Sequence, residues 1–194
     1  MIRNLANRCL ILLSGRIRMD LSKREVYLYG LELFLHTLFS TIGLLAISIL
    51  FHRFFEGCIM IALYYINQTL GGGFHASTHM RCFIIMSVGL VIALLVLNFQ
   101  PGSIGIVAIA VIASGLLLAF PLKLHRNKAY LAPKSAEFRK NSRIVACLEL
   151  LVFIVLACLG MDRVLFAYSL GMALSAASRM ASIWFSKDKN EISG

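Results

Sequence analysis

The segment GGGFHASTHMRC, residues 71–82, places two histidines, an arginine and a cysteine between two long apolar runs. A cysteine near a histidine is the minimum set for thiol nucleophilic catalysis, in which the imidazole takes the thiol proton and the thiolate attacks a carbonyl carbon. A free thiol has a pKa of about 8.5, so at neutral pH it needs such a base or a nearby cation. Cys82 is therefore the candidate nucleophile, and Arg81 is a cation that could stabilise its thiolate.

Two histidines are candidate bases for Cys82. His75 precedes it by seven residues, which in a straight helix is about 10 Å of rise, too far for a hydrogen bond near 3 Å. A direct pair requires a bend in the chain, which Gly72 and Gly73 could supply through unusual backbone angles. His79 lies only three residues before Cys82 on the same helical face and is the rival base.

A metal site is an alternative use of the same segment. His75 and His79 are four residues apart, like two zinc ligands on one helix, and Cys82 could be a third ligand. The glutamate that usually follows the first histidine and serves as the general base is missing from HASTH. We therefore predict thiol chemistry with no metal ion and no other cofactor. An ordinary polar loop at the membrane interface, with an inert thiol, remains the third interpretation.

The composition indicates that membrane helices must position this segment. The 194 residues are 59% hydrophobic and 14% charged, with a mean hydropathy of +0.83. Soluble domains are roughly 45–50% apolar and about 25% charged. The net charge is +10, but the basic clusters alternate with apolar runs, which favours anionic lipid headgroups over nucleic acid as their partner. We predict an all-α polytopic membrane protein, a single domain over residues 1–194, and no nucleic-acid partner.

Six apolar runs predict about six transmembrane helices. The predicted spans are 25–51, 54–70, 83–99, 103–120, 144–161 and 163–185. The segment 1–24 carries a basic amphipathic helix over residues 2–18, which suits the membrane surface, and we expect no cleavable signal peptide. The segments 1–24, 71–82, 121–143 and 186–194 hold 16 of the 19 Lys and Arg. The positive-inside rule places these segments, and both termini, in the cytoplasm.

Acidic and basic residues near the cytoplasmic ends of the spans have two interpretations each. Carboxylates inside a membrane are costly and often functional. Glu32 could orient a histidine or bind a substrate cation, or it could equally bind a neighbouring helix, and Glu149 has the same alternatives. The basic segment 121–143, with Lys128 and Lys134, either keeps this loop in the cytoplasm or docks an acidic peptide, and topology alone explains its charges.

The segment 71–82 resembles the Gly-Gly-x-His-Ala…Cys signature of the accessory gene regulator B (AgrB) family of bacterial membrane endopeptidases. LYGLE at 28–32, the polar residues 120–143, the basic N-terminus and the chain length are also similar to that family. The resemblance implies a cysteine endopeptidase of the bacterial cell membrane that acts in quorum sensing. It would cleave the charged C-terminal tail from an AgrD-like propeptide, hold the new C-terminus as a thioester, and let an internal Cys or Ser close a thiolactone or lactone ring.

Carried over residue by residue, the resemblance implies that Cys82 is the nucleophile and His75 is its base. Gly72 and Gly73 match the glycines of the signature. His79 is not part of the family pair, which weakens its claim as the base. Arg81, like the lysines of the basic segment, is a weaker candidate for substrate binding.

The sequence departs from the family where many members carry an arginine pair, because Gln68 and Thr69 stand there. Gln68 is therefore a candidate supporting residue. Without the arginine pair, the active site is supported by other residues, is specialised, or is impaired. Two other classes stay open: a catalytically silent peptide-binding scaffold, and a small transporter or exporter, which would need a polar midplane site with broken helices. A homodimer is the expected assembly, because a small bundle leaves little room for a peptide.

Overall fold

The computed structural model describes residues 2–14, 24–71, 79–99, 101–120 and 135–191. Every helix or strand within these residues is an α-helix, which confirms the predicted all-α class. In chain order they are α1 (Ile2–Ser14), α2 (Arg24–Leu50), α3 (Phe54–Gly71), α4 (His79–Val96), α5 (Ser103–Ala119), α6 (Ser135–Cys158) and α7 (Asp162–Glu191).

Three of these helices are long and apolar enough to cross a membrane, over Arg24–Leu50, Lys140–Cys158 and Asp162–Ala181. Met80–Val96 and Ser103–Ala119 are shorter apolar helices. The membrane class is thus confirmed together with the helical one, and the number of six spans stays a prediction.

For two helices the observed bounds agree closely with the predicted spans. Helices α3 and α5 begin at the predicted residues and end within one residue of the predicted ends. Helix α6 begins at Ser135, well before the predicted span at 144, and α7 continues to Glu191, beyond 185. These extra turns are polar, so hydropathy, which reports apolar length, carried no signal for them. The predicted helix 2–18 is present as Ile2–Ser14, and its last four residues lie outside the described residues.

The chain forms two compact units, Met1–Ala46 and Ile47–Gly194, and the prediction of a single domain stays a prediction. In the first unit, α1 packs on α2 through a buried cluster of Ala6, Leu10 and Leu28. The Arg24 guanidinium donates a 2.7 Å hydrogen bond to Asn7 Oδ1 beside this cluster. Burial of small and apolar side chains on one face therefore joins the amphipathic helix to the first long helix.

The opposite face of α1 is exposed and carries both apolar and basic side chains. Leu5, Ile11 and Leu12 are 40%, 59% and 74% exposed. Arg3 and Arg8 are exposed on the same short helix. An exposed apolar and cationic surface of this kind is typical of a helix that lies in a lipid headgroup region.

In the second unit, α7 contacts α3, α4, α5 and α6. It approaches α3 closely at Gly171, where an added Cβ would lie 3.2 Å from Met60 Cα and 2.7 Å from Leu63 Cδ1. Small residues permit such backbone approach between helices in membranes, where apolar surface alone gives little drive to associate. Gly171 therefore determines how closely α3 and α7 pack.

Replacing Gly171 with alanine is expected to separate α3 from α7 and to lower the free energy of unfolding by about 1–3 kcal/mol, as overpacked cores do. Thermal unfolding in detergent micelles measures this loss. Gly115→Ala is the matched control, because nothing lies within 4 Å of its added Cβ and alanine is the better helix former. Equal midpoints for the two variants would show that the α3–α7 contact is not tight.

Charged side chains join three helix ends at one end of this unit. Arg53 donates a 3.2 Å hydrogen bond to Asn98 Oδ1, just past the end of α4. The buried Glu56 carboxylate lies 2.6 Å from Arg163 Nε on α7 and 3.6 Å from Arg53 on the turn before α3. The starts of α3 and α7 and the end of α4 therefore meet here, so the end of α3 and the start of α4 lie toward the opposite end of the unit.

Candidate active site

Cys82 lies in the first turn of α4 and is half-buried. Gly89 follows it by seven residues on the same helical face. An added Cβ at Gly89 would lie 3.2 Å from Leu174 Cδ2, so this face of α4 packs against α7. The thiol therefore lies on the interior side of α4, at the end of the unit where α3 ends and α4 begins.

Beside this face, three polar side chains form what we call the Tyr64 cluster: Tyr64 and Gln68 on α3 and Ser178 on α7. The Tyr64 hydroxyl lies 3.3 Å from Ser178 Oγ and also forms a hydrogen bond with the Gln68 side chain. The same hydroxyl interacts electrostatically with Cys82. Gln68, a supporting candidate from the sequence, is thus linked to Cys82 through Tyr64. The sequence analysis did not identify Tyr64.

A signal for Tyr64 was present in the sequence. It precedes Gln68 by four residues, so both side chains lie on one face of α3. Ser178 carried no comparable signal, because its pairing with Tyr64 spans 114 residues and a single sequence does not reveal which helices are neighbours.

A second set of buried polar side chains, the Glu149 cluster, lies beside the first and includes residues of α3, α6 and α7. The Asn67 amide donates a 2.6 Å hydrogen bond to Glu149 Oε1, and the Tyr168 hydroxyl donates a 3.2 Å bond to the Glu149 main-chain oxygen. Arg179 interacts electrostatically with Glu149 and donates a 2.5 Å hydrogen bond to the Leu117 oxygen. Glu149 therefore binds neighbouring helices, which is one of the two roles expected for it from the sequence.

The exposure of these side chains shows that the cluster is sealed from solvent. Asn67, Glu149 and Arg179 are only 3%, 5% and 3% exposed. Unpaired charges are costly inside a membrane protein, so polar side chains placed there face the bundle and bind one another or backbone carbonyls. The cluster ties α3, α5, α6 and α7 together around the site.

The structure describes the other candidate residues only in part. Arg81 adjoins Cys82 on α4 and is exposed, and Glu32 is a half-buried residue of α2 in the first unit. The α4 backbone includes His79, but its side chain is not among those described. His75, Gly72, Gly73, Lys128 and Lys134 lie outside the described residues, so their roles, and the bend required before Cys82, stay predictions.

One comparison with known proteins matches most of the chain. A family model described as accessory gene regulator B matches residues 6–183, a range that contains every candidate site residue. No curated protein and no solved structure matches the chain. The chain therefore belongs to the accessory gene regulator B family.

Proposed function

We propose that this protein is a membrane cysteine endopeptidase that removes the C-terminal tail of an AgrD-like propeptide and promotes ring closure of the product. Membership of the accessory gene regulator B family carries the proposal, because it gives the protein a role in that regulatory system and an AgrD-type partner. The half-buried position of Cys82 at the start of α4 supports its assignment as the nucleophile.

The first chemical step transfers the peptide acyl group to Cys82. The imidazole of His75 takes the thiol proton, and the thiolate sulfur attacks the carbonyl carbon of the bond to be cut. The carbon–nitrogen bond breaks, a carbon–sulfur thioester forms, and the tail leaves as an amine with the proton returned by the imidazole. The body of the propeptide is then attached to Cys82.

The second step closes the ring. An internal Cys or Ser of the propeptide gives its proton to His75 and attacks the thioester carbonyl, and the product is a thiolactone or lactone with the Cys82 thiol restored. Water competes with this internal nucleophile for the same carbonyl. A thiol on the interior face of α4 supports ring closure over hydrolysis, because packed helices restrict the entry of water. Thioester formation from an amide is uphill, so removal of the product or shelter of the intermediate must drive it.

Exposed apolar side chains and basic residues of the chain suit a substrate that is amphipathic and acidic at its tail. The exposed leucines and arginines of α1 suit an anionic inner leaflet, where such a propeptide would lie. Arg81, Lys128 and Lys134 are the candidate cations for the tail, and Glu32 is the candidate for orienting a histidine or binding a substrate cation. In this proposal the termini and the site face the cytoplasm.

The test is processing of a cognate propeptide by the purified protein in vesicles, with and without a metal chelator. We expect a shortened cyclic product and a free tail at the same rate under both conditions, because a thiol and an imidazole supply the chemistry. Loss of processing on chelation, with recovery on adding zinc, would instead assign His75, His79 and Cys82 to a metal. No processing under either condition would favour a silent peptide-binding scaffold.

A further inference from the structure

The hydroxyl of Tyr64 has two hydrogen-bonding partners on neighbouring side chains. Ser178 Oγ lies 3.3 Å away, and the Gln68 side chain bonds to the same hydroxyl. A serine hydroxyl and a glutamine amide can each donate to a phenolic oxygen, which has two lone pairs. When both donate, the phenolic proton is left for a third acceptor.

The position of Tyr64 indicates which acceptor that is. Its hydroxyl interacts electrostatically with Cys82. The packing of α4 against α7 supports the same acceptor. Cys82 shares a helical face with Gly89, where an added Cβ would lie 3.2 Å from Leu174 Cδ2. Ser178 lies one turn beyond Leu174 on α7. Helix α7 therefore carries Ser178 toward the end of the unit where α4 begins with Cys82.

We propose that the Tyr64 hydroxyl donates a hydrogen bond to the Cys82 sulfur when that sulfur is a thiolate, with Ser178 and Gln68 orienting it. The inference rests on the proposed function only in taking Cys82 as the nucleophile. Tyr64 keeps its proton throughout, and the thiol proton goes to the base. Hydrogen bonds to charged groups are about twice as strong as neutral ones, so the bond favours the thiolate over the thiol.

A hydrogen-bond donor at this position offsets the cost of burying the Cys82 thiolate. A thiolate on a half-buried residue loses part of its hydration, which favours the neutral thiol. The charged or titratable residues directly adjacent in sequence to Tyr64, Cys82 and Ser178 are Tyr65 on α3, Arg81 on α4 and Arg179 on α7. Arg179 donates to the Leu117 oxygen and Arg81 is exposed, so among the described side chains of this set Tyr64 is the donor placed toward the sulfur.

The test is the pH dependence of Cys82 alkylation by iodoacetamide, measured on the full chain in detergent by mass spectrometry of the Cys82 peptide. No propeptide is needed. In Tyr64→Phe we expect the midpoint of alkylation to rise by about one pH unit and the rate at neutral pH to fall about tenfold, the size of one hydrogen bond to a charged group. Ser178→Ala should shift the midpoint in the same direction by a smaller amount.

Tyr168→Phe is the matched control, because it also removes a buried hydroxyl hydrogen bond, but one made to the Glu149 main chain. It should leave the Cys82 profile unchanged, and the exposed Cys147, which should react alike in all variants, is the internal reference for the reactivity of the reagent. An unchanged profile in both Tyr64→Phe and Ser178→Ala, or an equal shift in Tyr168→Phe, overturns the inference. Because the assay contains no substrate, either outcome is separate from whether the propeptide is cleaved.

Discussion

Replacing Cys82 with alanine is expected to abolish processing of a co-expressed cognate propeptide, because no other group in the proposed mechanism can form the thioester. Replacing His75 with alanine should slow processing by about 10²–10⁴-fold, the usual contribution of a general base. The measurement is the fraction of propeptide converted to the shortened form, by mass spectrometry of membrane extracts.

Cys158→Ala is the matched control for this pair, because it also removes a free thiol, and that thiol is exposed near the end of α6. It should process the propeptide like the original chain. Full conversion by Cys82→Ala would end the assignment of the nucleophile. Full conversion by His75→Ala, together with loss in His79→Ala, would transfer the role of base to His79.

Replacing Glu149 with alanine is expected to lower the folding stability more than the Gly171→Ala substitution does. The Asn67 amide would lose its 2.6 Å acceptor, and the buried Arg179 would lose a neighbouring opposite charge. Leaving a buried hydrogen-bonding group without its partner costs about 1–3 kcal/mol, and more when the group is charged. Thermal unfolding in detergent micelles should show a large drop in the midpoint.

Two further variants make this expectation specific. Glu149→Gln keeps an acceptor oxygen for Asn67 and loses only the charge, so its midpoint should lie between those of Glu149→Ala and the original chain. Glu25→Ala removes a carboxylate whose side chain is 75% exposed and whose ion pairs lie at 3.8 and 3.9 Å, so it should change little. A Glu149→Ala midpoint equal to that of Glu25→Ala would contradict a stabilising role for the Glu149 cluster.

The helices could be predicted from the sequence because polar or turn-forming residues bound each apolar run and mark where a helix begins and ends. Helix α3 shows this directly, with the predicted 54–70 against Phe54–Gly71. Helix α6 shows the limit, since its polar turns from Ser135 follow no hydropathy signal. Polar helical turns outside the bilayer are stabilised by water and by neighbouring loops, which a hydropathy pattern does not report.

The site could be predicted where its residues are close in sequence and not where they meet across helices. Cys82 was identifiable from neighbouring residue types, and Gln68 from its departure from a motif. The contact between Asn67 and Glu149 joins residues 82 positions apart, and nothing in either local sequence specifies the other. Helix packing brings such pairs together, and small residues such as Gly171, whose partner is also on another helix, determine that packing.

The central claim is that Cys82 carries the propeptide as a thioester, and the most direct test is to trap that adduct. A propeptide whose internal Cys or Ser is replaced by alanine cannot close the ring, so the acyl-enzyme should accumulate. We expect intact-protein mass spectrometry to show the chain plus the tail-free propeptide, with the adduct mapped to Cys82 and released by hydroxylamine. An adduct on another residue, or cleavage by the Cys82→Ala variant, would contradict the claim.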